Sequence, residues 1–286
     1  MNHQMISCAL FRASNLVALD YPFDAALASA LQICDRAAVV LGSSRDGSRD
    51  WVYALQREHG ADRVLIREET WRFDRTWQER CWDWAAGMTA AEWLLHIDAD
   101  EVFHEDDVPA IRELMENPEI KLIRFPFIHL YATPRFHYVA PGFLRWNTRL
   151  GRRSAGFRMR NWCSDVTPNH AVCQMVYGPD EHNAHVPADG VGMATVGAPV
   201  YHYGWARSAE ALAISQAKHR AWYADGGDLA DGRIPDVAPW DFRLAAKLAS
   251  GEAERFDGDH PAVMAAWFEA HADEWTALED ACAPMQ

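Results

Sequence analysis

The chain has 286 residues, 49% of them apolar and 24% charged, the composition of a globular protein long enough to bury a large core. Twenty-seven basic and 41 acidic side chains give a net charge of −14, which excludes partners gripped through broad phosphate-backbone contact, extended nucleic acid and anionic membrane among them. A single bound nucleotide is still open, because a metal ion and one or two arginines can neutralise a diphosphate locally.

The first residues, MNHQMISCALF, lack the basic start and long apolar stretch of a signal peptide, and no segment approaches a membrane span. Six cysteines, at 8, 34, 81, 163, 173 and 282, are scattered through a chain too large to need staples. They read as reduced thiols, and the expected location is the cytoplasm.

In chain order, residues 5–11 (MISCALF) predict a first strand. Asp20 or Asp24 is placed to cap a helix running to Asp35, with Phe23, Leu27, Ala30, Leu31 and Cys34 at helical spacing. A second strand at 37–41 (AAVVL) runs into the loop GSSRDGSRD and then a helix carrying Trp51 and Leu55. A third strand is expected at 63–66, a third helix at 75–88 and a fourth strand from Trp93 to the acids at 98–101. This alternation predicts a parallel α/β sheet with right-handed crossovers. A helix near 107–116 and a strand at 120–127 follow. Residues 128–200, rich in Gly, Pro and aromatics, predict irregular strands and loops laid over the active edge of the sheet. A last short strand is expected at 199–203, a helix from Ser208 to Tyr223, and two helical stretches near 240–250 and 261–281.

The chemistry concentrates at 93–107, WLLHIDADEVFHEDD, where an apolar strand ends in Asp98, Asp100 and Glu101. In open α/β sheets ligands bind where such strands end. Hard divalent ions take one or two carboxylates together with substrate phosphate oxygens, which suits Asp-x-Asp to a metal–diphosphate site. Glu105, Asp106 and Asp107 are explained as acids favouring a helix N-terminus. An EF-hand is excluded, because its fifth and sixth positions counted from Asp98 would be Val102 and Phe103.

Cys163, His170, Cys173, His182 and His185 fall close together, a possible structural zinc set whose spacings match no standard finger. Trp146, Trp162 and Trp205 could stack on a sugar ring, with core packing as the ordinary alternative. The run Arg149–Arg153 (RLGRR) reads by default as a solvated turn, with an acidic acceptor as the functional alternative.

The order of elements, QERCWDW before the fourth strand and WLLHIDADE at its end, resembles the family 2 glycosyltransferases of the GT-A fold. The resemblance is strongest to a bacterial branch with an early YPF segment, here Tyr21-Pro22-Phe23, and a late HYG segment, here His202-Tyr203-Gly204, followed by Trp205 and Arg207. It covers about residues 5–223, and FDGDHPAVM at 256–264 is also familiar. It implies a GT-A (Rossmann-like), mostly parallel α/β sheet flanked by helices. The glycosyltransferase domain would be 1–223, with a nucleotide-binding half at 1–127 and an acceptor half at 128–206. Residues 224–286 would form a helical extension packed on it.

The resemblance also implies roles. Asp100 would ligate Mn2+ or Mg2+, with Asp98 contacting the metal or the ribose and His202 as the distal metal ligand. Asp46 matches the acid that holds the nucleotide base, although Asp-Gly is equally a turn dipeptide. Arg80 and Arg207 would face the nucleotide sugar. Arg80 matches the arginine of the family's Arg-Asn pair, and Cys81 stands here in place of the asparagine. The candidate base for an inverting transfer is Asp165, with Asp180 and Glu181 as alternatives, and the family's usual Glu-Asp pair is absent there. The expected function is metal-dependent transfer of a sugar from a UDP-, GDP- or other nucleotide-sugar donor to the hydroxyl of a small molecule or glycan. The rivals are a nucleotidyltransferase and a non-catalytic sugar- or zinc-binding protein. The first lacks support, because CALFRASN carries none of the glycines of a phosphate loop.

Overall fold

The computed structural model describes residues 7–70, 77–140, 144–160, 163–166, 176–177, 192–224 and 234–282. The first half alternates as expected: β1 (Ser7–Ala13), α1 (Phe23–Ile33), β2 (Arg36–Leu41), α2 (Ser48–His59), β3 (Val64–Glu68), α3 (Trp77–Gly87) and β4 (Trp93–His96). Then come β5 (Glu101–Phe103), α4 (Val108–Glu116), β6 (Leu122–Tyr131), β7 (Thr133–Tyr138), β8 (Leu144–Arg152), β9 (Phe157–Arg160), β10 (Cys163–Val166), β11 (Val176–Tyr177) and β12 (Met193–Thr195). The chain closes with β13 (Val200–Trp205), α5 (Ala209–Ala224), α6 (Leu244–Ala249), β14 (Ala253–Arg255) and α7 (Ala265–Cys282).

The main sheet runs β14-β7-β6-β8-β4-β1-β2-β3. β3, β2, β1 and β4 are parallel, and β8 enters antiparallel between β4 and β6. The class is the helix-flanked α/β sheet expected of the GT-A arrangement. Alternation along the strands sorts two cores. Ala9, Phe11, Trp93 and Leu95 face the side covered by α1 and α4, while Cys8, Leu10 and Leu94 face Trp82 and Ala85 of α3. Cys8, Cys34 and Cys81 are buried free thiols, and burial pushes Cys8 and Cys81 up to about 12. Among the described residues no helix is long and apolar enough to cross a membrane.

Three expectations are corrected. The segment 128–200 does not only overlie the sheet: β8 lies inside it, pairing Leu94 with Gly151 and Leu95 with Leu150. Gly151 is required there, because a Cβ would sit 2.3 Å from Cγ of Phe157. Arg149 and Arg152 are accordingly 4% and 6% exposed and do not belong to a solvated turn. From Glu101 the chain continues as a second short strand, β5, paired antiparallel with β13. Neither Asp20 nor Asp24 caps α1: its N-cap is Pro22, with no side-chain cap bond.

Asp20 has a different task. Its carboxylate accepts from Ser208 N at 3.0 Å and lies 2.9 Å from Nε2 of His271 on α7. His271 Nδ1 lies 2.7 Å from the Trp267 carbonyl, so both ring nitrogens donate and the ring is an imidazolium. Burial alone would lower the His271 pKa; Asp20 and the Trp267 carbonyl outweigh it and raise it. Burial alone would raise that of Asp20; His271 and the Ser208 amide outweigh it and lower it. The His271 contribution is therefore complete below about pH 6.5 and lost as pH climbs through the raised value. The Asp20 contribution is complete above about pH 3.9 and lost as pH falls further. His271→Gln should lower stability by about 1.5–3 kcal/mol in urea melts near pH 6. The deficit should narrow steadily in melts taken at higher pH; a pH-independent deficit would show that only packing was lost.

Candidate functional site

The sheet order reverses beside β1, with β2 on one side and β4 on the other, and the carboxyl ends of strands at such a switch point form the ligand crevice of open α/β sheets. Arg12 stands near the end of β1, and Asp98 in the turn after β4. Continuing the Leu94–His96 alternation puts Asp98 on the α3 side. There Arg12 Nη2 donates to its Oδ1, and Arg12 also lies over the Trp82 ring at 4.9 Å.

Arg149 comes to the same place from β8. Its Nη2 bridges Asp98 Oδ2 at 3.4 Å and Glu101 Oε1. Glu101 closes the turn by accepting from Asp98 N at 3.1 Å through its other oxygen. Burial would raise the Asp98 pKa, but the flanking Arg12 and Arg149 guanidiniums outweigh it and hold the carboxyl low. Burial dominates at Glu101 and pushes it up against the pull of Arg149. In this cluster Asp98 is committed to two arginines.

Asp100 points elsewhere. Its backbone carbonyl accepts from Tyr203 N at 2.8 Å, which draws the Asp98–Glu101 turn against β13. Oδ2 then faces Nε2 of His202 at 3.7 Å. Burial, reinforced by Asp98 and opposed by Arg207, raises Asp100 to about 6, and burial lowers His202 to about 4. A carboxylate and a neutral imidazole thus face each other in a poorly solvated corner. A Cβ on Gly204 would fall 2.5 Å from His202 Nε2 and 2.8 Å from Asp100 Oδ2, so the glycine keeps open the space between the two donors. Ligands about 2.1 Å from one ion lie no more than about 4.2 Å apart, a limit this pair meets. Among the described residues no set of three or more His, Cys, Asp or Glu is disposed to hold a metal ion. The chain therefore offers two donors, which fits a hard cation completed by water and phosphate oxygens.

Arg207 is 2% exposed. It donates to Gly204 O at 3.0 Å and to Leu19 O, and stands over the Tyr21 ring at 4.4 Å. The YPF and HYG segments therefore meet, and Arg207 is spent on the backbone of the loop and turn that frame Asp100. His260, from FDGDHPAVM, pairs through Nδ1 with the Tyr203 hydroxyl at 2.9 Å and through Nε2 with Pro134 O at 3.1 Å.

The other expected residues divide. Both oxygens of Asp46 are engaged: Oδ1 by the Ser48 hydroxyl at 2.6 Å, the local turn chemistry its Asp-Gly context allowed, and Oδ2 by Ala18 N at 2.8 Å from the loop after β1. Beside it, at the carboxyl ends of β2 and β3, Gly42, Ser43, Ser44, Glu68, Glu69 and Thr70 line a groove of about 350 Å³. Arg80 is half-buried on α3. Asp165 lies on β10, paired in register with Arg158. Asp180, Glu181, Trp162, His170, Cys173, His182 and His185 lie outside the described residues. Trp146 has Arg124 over its ring at 5.2 Å, and Trp205 packs against Tyr131 and Phe242 in a core cluster.

Sequence reasoning missed Arg12, gave no task to Glu101 or Gly204 although both lay in the motifs it singled out, and misplaced Arg149. One signal was available: Arg12 is a lone charge in the otherwise apolar strand SCALFRA, and such a charge needs a buried partner.

No protein-family model matches the chain, and no curated protein matches it. Among solved structures, it is similar to a mannosyltransferase from Pyrobaculum calidifontis in complex with GDP-Man and Mn2+, at 15% identity, 95% of this chain, 70% of that chain and a TM-score of 0.47. It is similar to glucosyl-3-phosphoglycerate synthase from Mycobacterium tuberculosis in complex with Mn2+, UDP and glucosyl-3-phosphoglycerate, at 13% identity, 82% of each chain and a TM-score of 0.41. It is also similar to S. aureus TarS 1-349 in complex with UDP, at 14% identity, 43% of this chain and a TM-score of 0.35. The matches span only 34% to 48% of the length of the TarS chains. The fold class stands on this chain's own strand order and helix placement.

Proposed function

We propose that this protein is a metal-dependent glycosyltransferase that moves a sugar from a nucleotide-sugar donor to an acceptor hydroxyl with inversion. The observation that carries the proposal is the Asp100–His202 pair, facing across the space left by Gly204 at the switch point of the sheet. Asp100 and His202 hold Mn2+ or Mg2+, and Asp98 keeps Arg12 and Arg149 in place beside them. When bound, the cation neutralises charge growing on the departing diphosphate. The groove at the ends of β2 and β3 receives the nucleoside, with Ser43, Ser44, Glu68 and Glu69 offering hydrogen-bonding groups. Arg207 fixes the loop and turn around Asp100. Asp165 is the candidate base that takes the proton of the acceptor hydroxyl. Helix α7 of the C-terminal extension serves as a brace: its His271 and Glu279 reach Asp20 and Thr133.

The test is a thermal-shift screen of UDP-, GDP-, CDP- and dTDP-sugars with and without Mn2+, on the natural chain and on Gly204→Ala. At least one donor should stabilise the natural chain only when Mn2+ is present. Gly204 has no positive φ, so alanine suits the backbone there and acts by filling the cation space. It should weaken metal-dependent binding by tenfold or more, about 1.4 kcal/mol, while the variant still unfolds cooperatively. The reading fails if no donor binds, or if Gly204→Ala binds manganese and donor as the natural chain does.

A further inference from the structure

His202 has a neighbour that the proposed chemistry has not used. β6 and β13 run parallel, with His129 in register opposite His202. The two rings meet edge to face, centroids 4.9 Å apart and planes at 80°, and their Nδ1 atoms are 2.9 Å apart. His129 is 7% exposed and stacks on Phe127 at 5.6 Å and 28°, which limits how its ring can turn.

Two nitrogens at this distance share one proton: one Nδ1 donates and the other accepts. On its other side, His202 Nε2 is 3.7 Å from Asp100 Oδ2, beyond the length of a hydrogen bond. A proton on Nε2 would not be satisfied by that carboxylate, whereas a proton on Nδ1 has an acceptor in direct reach. With the proton on Nδ1, the Nε2 lone pair points at Asp100, the arrangement a shared cation requires. Imidazole ligands ordinarily have their free N–H held by an outer partner that fixes tautomer and ring orientation.

We infer that His129 is a positioning residue that accepts the Nδ1–H of His202 and thereby keeps Nε2 unprotonated and facing Asp100. Its relevance to a cation rests on the proposed function; the placement of the proton does not. His129 itself, accepting on Nδ1, keeps its proton on Nε2.

The experiment has two arms, applied to the natural chain, His129→Asn and His129→Leu. Asparagine puts an amide oxygen near the place of the imidazole Nδ1 and can still accept; leucine cannot. In the metal-free proteins, nitrogen-15 imidazole NMR should show His202 protonated on Nδ1 in the natural chain and in His129→Asn. In His129→Leu that tautomer preference should be lost. A titration reading free Mn2+ by electron paramagnetic resonance should then show affinity lowered about 10–100-fold in His129→Leu and close to natural in His129→Asn. Protonation of His202 on Nε2 in the natural chain overturns the inference, as does a His129→Leu variant with unchanged tautomer. If the natural chain takes up no Mn2+, the cation reading falls while the NMR arm still decides the proton placement. If it takes up Mn2+ and His129→Leu does so equally well, the cation reading stands and the positioning role falls.

Discussion

Asp100→Asn should abolish Mn2+-dependent binding of a nucleoside diphosphate and lower turnover by at least about 10³-fold, roughly 4 kcal/mol of transition-state stabilisation. The amide keeps the shape of the side chain but offers no negative charge to a cation facing His202. The same substitution should stabilise the metal-free fold. Burial, with Asp98 adding to it and Arg207 opposing it, raises Asp100 to about 6. A carboxyl whose pKa is raised on folding contributes stability at low pH that is lost as pH rises through the folded value. At neutral pH the ionised group therefore costs the fold roughly 3 kcal/mol. A neutral amide removes that cost, so urea melts at pH 7 should show Asp100→Asn more stable than the natural chain without metal. Calorimetry with manganese and nucleoside diphosphate checks the first half. Natural affinity in the variant would remove Asp100 from the site.

The second large effect falls on the fold. Arg149 is buried and holds Asp98 and Glu101 together, with its guanidinium 5.3 Å from the Phe127 ring centroid. Arg149→Met preserves much of the volume but leaves the buried Glu101 carboxyl beside the half-buried Asp98, with Arg12 as the remaining cation on Asp98. Breaking a buried pair by removing one partner costs about 3–5 kcal/mol, and denaturant unfolding at pH 7 should show a loss of that size. The deficit should shrink as pH is lowered and the stranded carboxylates take up protons. Adding Glu101→Gln should recover part of it at pH 7, because the amide needs neither a buried charge nor the proton that burial, already pushing Glu101 up, would force onto it. A loss below about 1 kcal/mol, the range of exposed ion pairs, would contradict a buried clasp.

The site was only partly legible in the sequence, and the boundary is instructive. Asp98 and Asp100 stood out because they interrupt an apolar strand, and a strand end in an α/β alternation is a ligand position whatever its neighbours are. His202 stood out only through the HYG resemblance. Asp46 allows two readings, a base-binding acid and a turn residue, and its oxygens, one held by Ser48 in its own turn and one by Ala18 in the loop after β1, give it a definite structural task. The residues 128–200 defeated the reading. β8 carries Arg, Asn, Thr and Gly in place of an apolar run, because one of its faces is occupied by the Arg149 clasp and Gly151 yields its space to the Phe157 ring.

Local periodicity by itself determined the alternating strands and helices of the first half, and with them the strand end on which the acids sit. It acts over a few residues, where each side chain's face follows from its neighbours. Which charges meet is a different matter. Arg12 reaches Asp98 across 86 positions, Arg149 reaches Glu101 across 48, and His129 reaches His202 across 73. Those encounters depend on strand order and register, fixed only when β8 enters between β4 and β6 and β13 aligns with β6. The tertiary structure alone turned Asp98 toward two arginines, left Asp100 facing an imidazole, and made the missing Cβ of Gly204 into open space between that pair.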